Sequence, residues 1–149
     1  MIEQQQPAST TVSRFNRVVK ALLRSGIPIP GFRLLTVTGR RSGEPRTTPV
    51  TPFSYEGRRY VMQGWPGAGW VANARAAGWG LLGVGRRMRR VTLTEIPVEE
   101  RRPILRHNGR RAPKRVARMF VANGLIASTD AESWAAAAPA IAVFRLEDA

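Results

Sequence analysis

Apolar residues recur along this chain with two periods, and the places where the period changes mark the elements. Phe15, Val18, Val19, Leu22 and Leu23 stand at i, i+3, i+4, i+7 and i+8, which is one face of a helix starting near Ser13. Arg14, Arg17, Lys20 and Arg24 fill the rest of that helix, and Gly26 with Pro28 ends it. Residues 1–9 are polar and are expected to form a disordered tail, which leaves 10–149 as a single domain. After the stiff connector Ile27–Gly31, Leu34–Thr38 reads as a strand, Gly39–Pro45 as a turn and Arg46–Tyr55 as a second strand. Pro49 and Pro52 cannot donate to a ladder, so this second strand is an edge or is bulged. Glu56-Gly57 then turns the chain into Arg59–Met62.

A Gly-rich loop, Gln63–Gly69, interrupts the meander. Trp70, Val71, Ala74 and Ala77 mark one face of a short helix that Gly78 ends. Trp79–Val84 and Met88–Ile96 follow as two strands joined at Gly85-Arg86-Arg87, the second with one wet face. Pro97 opens a helix with Glu99 and Glu100 in its first turn, and Pro103 is expected to limit or kink it. Arg106–Arg111 reads as a basic loop, Pro113–Ala122 as a helix, and Thr129 with Glu132 as a capping box for a helix over Asp130–Ala138. Ala140–Leu146 is the last strand. The pattern predicts an α+β fold, mainly β, with about six strands. A meander broken by one helix, with a late returning strand, fits a small barrel whose closure removes the sheet edges.

Charge changes the picture. The net charge is +14, and residues 1–94 hold 15 of the 24 basic residues against three acids. An anionic partner would meet this part of the chain. All but Lys20 and Lys114 are Arg, a skew that a GC-rich genome also produces, so clusters inform more than the sum. No stretch is apolar enough to span a membrane, and the first residues lack the n- and h-regions of a secretory signal. The expected location is cytoplasmic; the helix Phe15–Arg24 reads first as a surface helix covering the sheet, and the alternative is weak peripheral contact of this basic amphipathic helix with an anionic membrane surface. There is no cysteine, and His107 is the only histidine, read here as a polar surface residue. Thiolate chemistry and a histidine metal cluster are therefore excluded, no metal is expected, and no catalytic residue stands out.

The stretch Leu34–Val50 carries the candidate chemistry. Its turn presents Arg40 and Arg41, with Arg46 just beyond. A guanidinium is a planar fork that grips two oxygens, which suits phosphate and carboxylate. Spacing alone leaves two readings open, a charged hairpin tip or an anion site. Thr47 and Thr48 add hydroxyls, the loop Gly64–Gly69 can approach a flat ring through backbone N–H groups, and Trp65 and Trp70 offer aromatic faces.

Within that stretch, T-V-T-G-R-R-S-G-E-P-R-T-T-P, ending at Pro49, resembles the opening motif of the deazaflavin-dependent nitroreductase family, split β-barrel oxidoreductases that use coenzyme F420. The likeness continues through Trp70–Gly78 and the basic hairpin up to Ile96. It implies a split β-barrel with an N-terminal amphipathic helix and further helices packed around it. It also implies that Arg40, Arg41 and Arg46 hold the anionic tail of the coenzyme, with Pro49 beside it. Met62, Gln63, Gly64 and Trp65 would correspond to contacts with the deazaflavin ring, and Trp70 and Asn73 to the helix bordering the pocket. The family often has Lys where this chain has Arg41. The ring loop here is compact and less polar than in many relatives.

The resemblance implies an F420-dependent oxidoreductase passing a hydride to a quinone, enone or nitroaromatic. Ser54, Tyr55 and Tyr60 are the candidate proton donors, and alternation does not say which faces inward. Because the coenzyme carries the hydride, no histidine or cysteine is required. The alternatives are a split barrel using FMN or haem, one binding an apolar ligand without turnover, and an Arg-rich nucleic-acid-binding barrel. The expected partner is a small-molecule substrate, and the protein is a monomer or a homodimer.

Overall fold

The first apolar stripe forms helix α1 (Thr10–Arg24) in the computed structural model, which describes residues 10–149. The expected tail over 1–9 lies outside the described residues. The stripe is only half used. Val19 and Leu23 are buried with Leu34, while Phe15, Val18 and Leu22 are 50%, 60% and 37% exposed. Phe15 meets Phe32 edge-on, with ring centroids 5.7 Å apart.

The strands are β1 (Arg33–Thr38), β2 (Pro45–Val50), β3 (Phe53–Tyr55), β4 (Arg58–Met62), β5 (Trp79–Val84), β6 (Arg87–Glu95) and β7 (Val143–Asp148). They form one antiparallel seven-stranded sheet in the order β2-β1-β5-β6-β7-β4-β3. Two expectations are corrected. The single strand Arg46–Tyr55 is two strands, because the ladder stops at Thr51-Pro52 and resumes on a different neighbour. The sheet does not close, and β2 and β3 remain its edges. Pro45 and Pro49 lie on edge strand β2, where a missing N–H costs least.

Register decides which side chains share a face. Leu35 opposes Thr48 and Leu82, and Leu82 opposes Arg89; Val91 opposes Asp148, and Val61 opposes Phe144. Leu35, Val37, Val50, Val61, Leu82, Val91, Leu93, Phe144 and Leu146 make the inner face, and helix α2 (Gly69–Ala77) packs Trp70, Val71 and Ala74 into it. Trp70 lies against Phe144, with centroids 5.6 Å apart. The other face of β4 and β7 presents Tyr60 and Val143 to a layer of helices α3 (Val98–Arg111), α4 (Lys114–Ala122) and α5 (Ala131–Ala136).

This helical third departs from the sequence pattern in three places. Helix α3 runs straight through Pro103 and the expected basic loop to Arg111. Pro103 falls early in the helix and is exposed, so the bond it forfeits is one near the N-terminus, and burial of Ile104 and Leu105 carries the helix onward. The cap of α5 is Asp130 rather than Thr129, its carboxylate accepting from the Ser133 N–H at 2.9 Å. The last strand begins at Val143, because the chain before it turns, with Arg101 donating to the carbonyls of Ala138 and Ile141 and Gln63 to that of Ala142.

Candidate functional site

The turn between β1 and β2 is ordered from within. The Gly39 N–H donates to the Glu44 carbonyl at 2.8 Å, the Gly43 N–H to the Gly39 carbonyl at 2.9 Å, and the Glu44 N–H to the Ser42 hydroxyl at 3.1 Å. A Cβ at Gly39 would come within 2.8 Å of Ser42 Oγ and 3.1 Å of the Glu44 carbonyl, so a side chain there would displace the Ser42 hydroxyl and crowd the turn. The Arg40 N–H donates to Asn73 Oδ1 at 3.1 Å, and Arg40 Nη1 donates to the same oxygen at 2.8 Å. Asn73 is on α2 and buried. The turn therefore offers guanidinium groups, while the backbone N–H groups of residues 39, 40, 43 and 44 are consumed inside the protein.

Pairing of Val37 with Arg46 and of Leu35 with Thr48 puts Arg46 and Thr48 on the inner, α2-facing side of the sheet. Thr47 and Pro49 point to the other side, toward α1; the Thr47 hydroxyl is 2.9 Å from that of Thr36. Arg40, Arg46, Thr48 and Asn73 are thus brought to one side, Arg41 stands exposed beside them, and Pro49 is set apart.

The loop after β4 is tied down rather than flexible. The Gln63 N–H donates to the Ala142 carbonyl at 2.9 Å, its side-chain carbonyl accepts from the Ala142 N–H at 3.1 Å, and its amide Nε2 donates to the Trp65 carbonyl at 2.9 Å. Asn123 Nδ2 donates to the Gly64 carbonyl at 3.2 Å. Trp65 is partly buried against the inner core, and Trp70 is core. Met62 faces the helical layer, with Asn108 Nδ2 4.0 Å from its sulfur. Asn108 and Asn123 carry no motif; only the folded chain brings them to this loop.

The candidate proton donors separate. Tyr60 and Tyr55 face the helical layer: Tyr60 is buried and stacks on Phe53 at 5.9 Å, and Tyr55 meets His107 edge-on at 5.0 Å. Burial, with Glu56 next, pushes the Tyr55 phenol up. Ser54 alternates with them and shares its face with Arg59. His107 is a residue of α3 partly covered by that contact, which corrects its reading as a loop residue. The basic hairpin also divides. Arg87 and Arg89 lie on the inner face with Val91, while Arg90 lies on the outer face with its guanidinium carbon 4.1 Å from the centroid of Trp79.

Arg101 had no signal in the sequence beyond a place in a helix. It is 6% exposed and donates to the carbonyls of Ile96 at 2.6 Å, Ala138 at 3.0 Å and Ile141 at 3.4 Å, and to Glu95 at 3.1 Å. Desolvation lowers its pKa, with Glu95 opposing that shift. Arg75 grips Glu95 with two bonds of 2.8 and 2.7 Å, and this contact holds the Glu95 carboxyl below its ordinary range against a desolvation that pushes it up. Arg101 is a buried brace between the sheet and the helical layer.

Among the described residues, no group of three or more acidic, His or Cys side chains could hold a metal, and no helix is long and apolar enough to cross a membrane.

Among solved structures, the fold is similar to a Clostridium acetobutylicum protein related to general stress protein 26, of the pyridoxinephosphate oxidase family. That likeness has 10% identity over 91% of this chain and 84% of the other, with a TM-score of 0.51. PhzG of Burkholderia lata is similar at 13% identity over 99% and 82%, with a TM-score of 0.50. A NimC/NimA family protein of Clostridium acetobutylicum matches at 17% identity over 77% and 72%, with a TM-score of 0.48. At such identities the first two likenesses speak for the fold alone, which is split-barrel-like. No protein of curated function matches the chain. A family model does, over residues 9–121, which takes in α1, the Arg turn, the ring loop, α2 and the helices up to α4. The chain belongs to the F420H(2)-dependent quinone reductase family and is an F420-dependent oxidoreductase.

Proposed function

We propose that this protein reduces a quinone or a similarly electrophilic enone or nitroaromatic, using coenzyme F420 held on the α2 side of the β1–β2 turn. The observation that carries the site is the pair of bonds from Arg40 to buried Asn73. The amide fixes the Arg40 guanidinium on the same side of the sheet as Arg46 and Thr48. That donor set fits an anionic tail.

The chemistry that the reduced deazaflavin supplies when bound is hydride donation. The chain's share is to bind, orient and keep water out. Arg40, Arg41 and Arg46 would hold the anionic end, and Asn73 would orient Arg40. Gln63, Gly64 and Trp65 would border the ring, with Met62 seated behind them in the helical layer. The double clamp of Gln63 on Ala142 and the Asn123 bond to Gly64 support a rigid edge there. Trp70 seats α2 in the inner core, and Pro49 stiffens the edge strand behind the arginines. The exposed apolar strip Phe15, Val18 and Leu22, beside Arg14 and Arg17, supports peripheral contact of α1 with an anionic membrane.

Titration of the full chain with F420, followed by deazaflavin fluorescence, tests the reading. Saturable binding in the low-micromolar range, roughly 8 kcal/mol, is expected, with much weaker binding of FMN. Arg40→Ala/Arg41→Ala should weaken the F420 affinity by tenfold or more. No quenching at tens of micromolar coenzyme would sink the cofactor assignment, and unchanged affinity in the double variant would sink the site.

A further inference from the structure

The inner face of the sheet is apolar where α2 packs into it and basic at the opposite rim. The change runs along each strand in register. On β1 the inward residues are Val37, Leu35 and then Arg33. On β6 they are Leu93, Val91, Arg89 and then Arg87, and on β4 they are Val61 and then Arg59. Together with Pro28 and Val84 these arginines line a cleft of about 300 Å³, floored by Leu82 and Val91. It lies at the Arg33 end of β1, whereas the Arg40 turn follows the other end, Thr38; five residue steps of strand separate the two, roughly 17 Å.

Four exposed arginines on the inner face of the sheet line the cleft with one carboxylate, Asp148, which makes no ion pair among the described residues. Arg59, Arg87 and Arg89 form no side-chain hydrogen bond or ion pair among the described residues, and Arg33 donates only to the Phe32 carbonyl, at 2.6 Å. Like charges gathered around one cleft repel one another, which costs folding energy. Here that cost buys nothing within the protein, while apolar walls strengthen any charge that enters.

We propose that this cleft is a second ligand site, separate from the coenzyme site, and that it takes a small molecule bearing a di- or triphosphate group. Its volume is at the lower end of small-molecule sites. The arginines stand on three strands that are not neighbours in the sheet, so they line the cleft at separated positions. A chain of tetrahedral phosphates presents oxygens to all of them, and a single planar carboxylate does not. No aromatic side chain lines the cleft, so it lacks the stacking platform that single-stranded nucleic acid uses.

Calorimetric titration with inorganic triphosphate tests this. The background is Arg41→Ala/Arg46→Ala, which removes exposed cations from the turn at the other end. Saturable one-site binding is expected, weakening as salt rises. Arg59→Gln/Arg89→Gln added to that background should weaken it by tenfold or more. Arg110→Gln/Arg111→Gln, an equal loss of charge at the end of α3, should change it less than twofold. Absence of saturable binding, equal weakening by both pairs, or a single-stranded oligonucleotide binding more tightly than triphosphate would each overturn the assignment. Because the readout needs no F420, the result stands apart from the fate of the coenzyme reading.

Discussion

Asn73 Oδ1 accepts from both the backbone and the guanidinium of Arg40, at 3.1 and 2.8 Å, from a side chain that is only 6% exposed. One buried atom thus sets the position of the turn and the direction of its cation. A carboxylate in its place would hold Arg40 as firmly but would neutralise it. Two variants separate these roles. Asn73→Ala loses both bonds and leaves a cavity, so stability should fall by about 1–3 kcal/mol and F420 affinity should fall with it. Asn73→Asp should keep the stability, since a charged acceptor strengthens the bond, yet lower F420 affinity by tenfold or more. Urea unfolding and coenzyme titration of the two proteins measure this. Full affinity in Asn73→Asp would show that the charge of Arg40 is irrelevant to binding.

Gly109 and Trp134 make the second prediction. Gly109 lies inside α3, where replacing glycine by alanine ordinarily stabilises a helix by about 1 kcal/mol. A Cβ there would come 2.6 Å from Trp134 Cδ1 and 3.1 Å from the Ala131 Cα. Trp134 is fully buried against Phe120, with centroids 4.6 Å apart, and has no room to yield. Gly109→Ala should therefore destabilise by roughly 1–3 kcal/mol, seen as a lower urea midpoint with an unchanged slope. A raised midpoint would mean that α3 and α5 are less tightly docked than the geometry requires.

These two cases show where the sequence was legible. Repeating local features came through: the stripe Val19–Leu23 of α1, the Arg turn, the strand pair around Gly85 and the proline-bearing edge strand. Failures occurred where a tertiary contact overrides a local signal. Pro103 reads as a helix end, but burial of Ile104 and Leu105 carries α3 past it. The meander with its late returning strand reads as a closed barrel, yet closure depends on how β2 and β3 are placed, and Thr51-Pro52 sends them to opposite edges. At the site, Arg40 was visible as a charge near glycine. Its link to Asn73 spans 33 residues, and the Gln63 clamp on Ala142 spans 79, distances over which no periodicity speaks.

The third prediction concerns acid. Glu95 sits between Arg75 and Arg101 with its carboxyl held below the ordinary range, first by the Arg75 hydrogen bond and then by the charges of both arginines. A depressed folded-state pKa means that the unfolded chain binds the proton more readily. The stabilisation is thus fully present above the ordinary carboxylate value, near 4.3, and is lost as pH falls through the lowered value. Glu95→Gln removes the charge at every pH and leaves Arg101 with its three carbonyl partners alone. At pH 7 the variant should be less stable than the natural chain by about 1–3 kcal/mol. At an acid pH well below the ordinary carboxylate value the gap should shrink, because the carboxyl of the natural chain loses its charge as pH falls through its lowered value. Urea midpoints at the two pH values decide it. A gap of equal size at both would show that Glu95 acts through packing, and that its charge contributes nothing to tying Arg75 to the Arg101 brace.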